Sequence, residues 1–120
     1  MTKKNLQKGV LAGLLLVSLA ACGGPKTMYN WGGYDYALLK HYKDGTASDE
    51  LALSLKEIIE KIERKEDKVP PGLYADYAYA LYDSGNVQEA LVFFAKERDA
   101  WPESAPFMTS VIDRISGASS

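Results

Sequence analysis

Cysteine and histidine each occur once in the 120 residues, and proline only five times. A lone Cys22 excludes an internal disulfide, and with His41 as the single imidazole the chain has too few soft ligands for a transition-metal site. No glycine-rich phosphate loop occurs, and no Ser/His/Asp set has supporting context, so phosphate chemistry and nucleophilic catalysis lack their residues. The chain is not expected to be an enzyme, nor to use a metal or a dissociable cofactor. Positive charge is not in excess: 14 basic against 16 acidic residues give a net charge of -2, which argues against a nucleic-acid partner. The longest apolar run, residues 10–21, is interrupted by Gly13 and Ser18. A helix crossing a hydrocarbon core of about 30 Å needs about 20 residues, so a permanent transmembrane anchor is not expected.

What is present first is an export leader. Lys3, Lys4 and Lys8 precede the apolar run, which ends in small residues at Cys22, and residues 1–21 therefore read as a signal peptide. Its removal leaves 99 residues, enough for one small domain, and moves the net charge to -5. Leu19-Ala20-Ala21-Cys22 resembles the bacterial lipobox. That resemblance implies a mature chain beginning at Cys22, which carries an N-acyl chain and a thioether-linked diacylglycerol, a palmitate-type lipid anchor. Gly23 stands where enterobacterial lipoproteins retained in the inner membrane carry Asp, and similarity to that sorting rule implies the periplasmic face of the outer membrane. The tether from Gly23 to Thr27 reaches under about 20 Å at 3.3 to 3.6 Å per extended residue, so the domain is expected close to the bilayer.

Beyond a lipidated tether and aromatic segment at residues 22–33, the chain reads as all-α, with about five amphipathic segments over residues 34–116 and a flexible tail at 117–120. The first segment, 34–43, places Tyr34, Leu38 and Tyr42 on one face and stops at Asp44-Gly45. In the second, with Thr46 or Ser48 as N-cap, Leu51, Leu55, Ile58, Ile59 and Ile62 form one stripe. Glu57 with Lys61 and Glu60 with Arg64 stand at i,i+4 on its charged side. Residues 65–71 hold a charge cluster and two prolines and separate two hairpins. The third segment faces inward through Tyr74, Tyr77, Ala78 and Leu81, and the fourth through Val87, Ala90, Leu91 and Phe94, with a turn at 83–86. Trp101-Pro102 closes the fourth, and a fifth at 104–116 carries Phe107, Met108, Val111, Ile112 and Ile115 on one side.

Gly85-Asn86-Val87-Gln88-Glu89-Ala90, then Phe94 and Pro102, set a tight turn, a small residue for close helix approach, and a terminator. Residues 71–104 thereby resemble one tetratricopeptide repeat of 34 residues, departing from it with Tyr74 in place of Trp and Glu97 in place of a small residue. The resemblance implies a short array of helical hairpins, with first helices lining a concave face. The lipobox, Tyr29-Asn30-Trp31-Gly32-Gly33-Tyr34 and two hairpins together resemble the bacterial lipoprotein family described as domain of unknown function 4810. The resemblance implies an envelope assembly shared with a lipoprotein similar to the curli secretion channel and another small lipoprotein. It implies no known activity.

Two sets of residues are candidates for contact with partners. Tyr29, Trp31, Tyr34 and Tyr36 crowd around Gly32-Gly33 just past the tether, and such aromatics serve either as packing or as interface anchors. Tyr79 and Tyr82 fall partly off the inward stripe of the third segment, and Phe93 points away from the Ala90 and Phe94 face, toward the fifth helix or a partner. The expected function is that of an outer-membrane-anchored periplasmic adaptor binding other envelope proteins, mainly lipoproteins. The alternative is a regulatory or pilot lipoprotein acting on a cell-wall synthase or a secretin.

Overall fold

A computed structural model describes residues 27–118. The expected leader and the acylation site Cys22 lie outside the described residues. Within them the chain is all-helical, with five α-helices: α1 (Tyr34–Asp44), α2 (Ser48–Glu63), α3 (Leu73–Asp83), α4 (Val87–Ala100) and α5 (Ala105–Ala118), with a 3-10 turn at Pro102–Ser104 before the last. No described helix is long and apolar enough to cross a membrane.

Each helix packs chiefly on its neighbours in sequence, because the connections are short and the apolar stripes face one another. The tightest pair is α3 with α4, joined by a three-residue turn in which Gly85 adopts a φ of 89°. The α2 stripe buries Leu51, Leu55, Ile59 and Ile62 against Leu73, Tyr77, Ala78 and Leu81 of α3, which in turn meet Ala90 and Phe94 of α4. Leu55, Ile62 and Leu73 are wholly enclosed, each worth about 1.5 to 3 kcal/mol of burial. The charged 64–72 connection is pinned by buried Val69 and Pro70.

Several local expectations are corrected. Neither Thr46 nor Ser48 caps α2: the N-cap is Ala47, without a side-chain bond, and the Ser48 hydroxyl donates instead to Asp83 at the end of α3. Tyr42 does not share the inward face of Tyr34 and Leu38 but projects into solvent, because its position lies past the edge of the buried arc. Phe107 likewise leaves the Met108 and Ile115 face and is exposed. Phe93 turns neither to the fifth helix nor outward: it meets Tyr77 edge-on at 4.5 Å and Tyr74 at 6.0 Å, both on α3. Of the two i,i+4 pairs, Glu60 and Arg64 stand 3.7 Å apart, whereas Glu57 and Lys61 form no ion pair among the described residues. The last helix continues through Gly117 to Ala118, into the segment expected as tail.

Candidate functional site

Residues 29–33 form a strap that runs from Trp101, just after α4, past the 64–72 connection to α2. Its path is set by a turn in which the Gly32 amide donates to Asn30 Oδ1 at 3.2 Å, and by the Tyr34 amide donating to the Trp31 carbonyl at 2.8 Å as α1 begins. Gly32 sits at φ 55°, where a Cβ would stand 3.1 Å from Ile58 Cγ2, so the backbone lies directly on α2. The rings then make a chain: Tyr34 stacks on Trp31 (centroids 5.6 Å, 20°), Trp31 meets Tyr29 edge-on at 6.2 Å, and Tyr29 meets Trp101 edge-on at 5.6 Å. Lys68 Nζ closes the far side of Trp101, 3.6 Å above its ring. Asn30 Nδ2 reaches Asp67 Oδ2 at 3.4 Å. Tyr29, Trp31 and Tyr34 are half-buried in this chain, while Tyr36 stands apart from it in solvent. The strap thus splits the first set of candidate residues into three packed rings and one free one.

Tyr79 and Tyr82 belong to a different surface. With Phe107, Val111, Arg114 and Ile115 they border an apolar cleft of about 500 Å³ between α3 and α5, floored by Phe94 of α4. Tyr79 is 65% and Phe107 69% exposed, large values for aromatic side chains on a small domain. Arg114 is the cation among the lining residues. Phe107, expected on the inward stripe of the fifth segment, stands in the cleft wall instead, and Arg114 lies outside the stripe that periodicity picks out.

A family model described as Domain of unknown function (DUF4810) matches residues 28–111. The chain belongs to this family. No curated protein and no solved structure matches it. The DUF4810 match begins at Met28, just before the strap, and ends at Val111 in the wall of the cleft, so it takes in the strap and α1 to α4 entire.

The helices of the DUF4810 domain are tied to one another by phenol–carboxylate bonds that periodicity did not reveal. Tyr34 of α1 donates to Asp76 of α3, Tyr74 of α3 to Glu63 of α2 at 2.7 Å, and Tyr77 of α3 to Glu89 of α4 at 3.3 Å. Burial, and then the adjoining carboxylate, push the Tyr77 phenol up to about 12, and raise Tyr34 and Tyr74 further still. All three stay protonated donors over any ordinary pH.

Glu97, the departure from the repeat pattern, is the buried acid of the domain, 1% exposed. Its Oε1 accepts the Gly72 amide at 2.7 Å and the Ser104 hydroxyl at 3.4 Å, so α4 supplies from outside the cap that α3 lacks at its own N-terminus. Burial raises its pKa above the usual carboxylate range, while the Gly72 and Ala75 amides and Ser104 pull the other way and the charge of Asp76 adds to the rise. Its Oε2 and the Trp101 Nε1 are buried without partners.

His41 is half-buried, with Nδ1 3.4 Å from the Thr46 hydroxyl and its ring edge-on to Tyr42 at 5.2 Å. Among the described residues no three His, Cys, Asp or Glu side chains are placed to hold a metal ion.

Proposed function

We propose that the protein is a lipid-anchored envelope adaptor, held by an acylated Cys22 at the periplasmic face of the outer membrane, whose work is binding rather than catalysis. The observation that carries this reading is the Tyr79, Tyr82 and Phe107 cleft: exposed aromatics around an apolar floor, with one cation at the edge, are the composition of a protein-docking surface. A helix or extended segment bearing two or three apolar anchors and one acidic residue for Arg114 fits it. Leu19-Ala20-Ala21-Cys22 and Gly23 support the anchor and its membrane, and the strap begins only a few residues past Cys22. The partners proposed for it are other lipoproteins of one envelope assembly, among them one similar to the curli secretion channel. The packed rings Tyr29, Trp31 and Tyr34 join the strap to the stack, and Tyr79 and Tyr82 are the residues assigned to partner contact.

A photo-crosslinking residue placed at Tyr79 in the acylated protein, irradiated in living cells, tests the assignment. One abundant envelope-protein adduct is expected there, and much less from the same residue at Trp31. A cell-wall synthase or a secretin in that adduct would favour the regulatory alternative, and no adduct from a folded, acylated protein would remove the cleft from the account.

A further inference from the structure

The two ends of the helical stack differ. At the α5 end the outward side carries Thr109 and Asp113, both exposed, polar residues suited to terminate an array. At the α1 end the side turned away from Tyr34, Ala37 and Leu38 carries Tyr36, Leu39 and Tyr42, exposed by 70%, 55% and 78%. No residue of α1 is fully buried, so even its inward side chains stay partly open.

The pattern on that face is complementary to itself. Tyr36 and Tyr42 lie equally far from Leu39 in opposite directions along the helix, and so do Asp35 and Lys43. Asp35 and Lys43 are exposed and form no ion pair within the chain among the described residues. We propose that α1 is a self-association surface, on which a second copy packs its own α1 antiparallel about a two-fold axis through Leu39. In that arrangement Leu39 meets Leu39 of the partner subunit, each Tyr36 covers Tyr42 of the partner subunit, and each Asp35 stands opposite Lys43 of the partner subunit. One surface repeated by a two-fold axis forms a closed dimer, and the polar α5 end stops it from extending. Antiparallel helices also set their dipoles in opposition. The face carries one acid and one base, Asp35 and Lys43, so it offers an anionic lipid surface no net charge to attract. The cleft between α3 and α5 uses no residue of α1, so self-association and partner capture are independent.

An 11-residue helix offers a contact below the usual size for stable complexes, so the dimer is weak in solution and, resting here on the lipid anchor of the proposed function, is gathered by confinement to a membrane surface. The test uses the full-length protein in cell membranes. Leu39→Cys is expected to give an oxidation-dependent dimer beyond the level of the unsubstituted protein, which retains Cys22. Tyr36→Cys with Tyr42→Cys should also bridge, whereas Tyr36→Cys alone should not, because copies of that residue lie beyond the roughly 7 Å limit for a disulfide. In the same membranes, Asp35→Lys on the Leu39→Cys background should lower the yield of disulfide dimer about tenfold and adding Lys43→Asp should restore it, since each swap acts twice across the axis. Thermal melting should be unchanged throughout, as these side chains are exposed. A Leu39→Cys thiol that reacts with maleimide yet gives no dimer would overturn the proposal. So would failure of the charge swap to restore association, or a disulfide from Leu39→Cys to a different protein.

Discussion

Replacing Glu97 separates its two roles, acceptor for the α3 N-terminus and buried charge. Glu97→Ala removes the acceptor of the Gly72 amide and leaves a buried donor unpaired, a loss of about 1 to 3 kcal/mol, with a further contribution from the space vacated. For a domain of this size about 1 kcal/mol corresponds to roughly 4 to 8 °C in Tm, so a fall of about 10 °C or more is expected. Glu97→Gln keeps an oxygen for Gly72 and Ser104 and removes the charge whose burial raises the pKa. Its Tm at neutral pH should therefore equal or exceed that of the wild type. The sign with pH follows from the direction of the shift. A carboxyl whose folded pKa lies above its unfolded value contributes most below the unfolded value of about 4.5, and that contribution is lost as pH rises through the folded value. The Tm of Glu97→Gln relative to wild type should accordingly increase from pH 4.5 toward neutrality. Thermal melting by circular dichroism between pH 4 and 8 measures this. A glutamine variant as damaged as the alanine variant at pH 7, with no pH trend, would show that the ionised carboxylate itself stabilises the α3 terminus and would refute the argument.

Gly32→Ala should lose about 1 to 3 kcal/mol in urea unfolding, because a left-handed backbone and a 3.1 Å approach to Ile58 both oppose a side chain there, whereas Gly45→Ala, which has open space around it, should lose only the conformational part. Tyr77→Phe should cost about 1 kcal/mol near neutral pH through the lost bond to Glu89. Since the folded phenol is raised from 10.0 to about 12, the advantage of wild type over Tyr77→Phe should be full below pH 10 and vanish as pH climbs through 12, a trend that urea midpoints at alkaline pH will show. Trp31→Ala should lower stability by a few kcal/mol, because its ring stacks on Tyr34 and braces Tyr29, and an unchanged melt would remove the strap from the packing of the domain.

The helical architecture was legible because spacing alone fixes which side of a helix is apolar. The α2 stripe and the inward faces of α3 and α4 were read correctly from that spacing, and Gly45 and Gly85 marked where helices stop. What escaped was everything set by neighbours distant in sequence. Glu97 stood out only as a departure from the small residue of the repeat, and its role at the α3 terminus needs α3 beside it, while Trp101 looked like a terminator until Tyr29 and Lys68 enclosed it. Tyr42 and Phe107 sit at the borders of their stripes, where helical periodicity gives an angle but not the extent of the neighbouring helix. The exposed Tyr79 and Tyr82 were visible as misfits to the stripe, yet their partner across the cleft, Phe107, was hidden by its assignment to the core.

The adaptor account is tested most directly by co-purification of the acylated protein from detergent-extracted membranes with the cleft altered and intact. The Tyr79→Ala, Phe107→Ala double variant is compared with Leu53→Ala, which removes an equally exposed apolar side chain from α2, away from the cleft. The account predicts that the double variant loses its envelope partner at an unchanged melting temperature while Leu53→Ala retains it. A partner retained by both, or lost equally by both, would contradict the assignment of binding to the cleft.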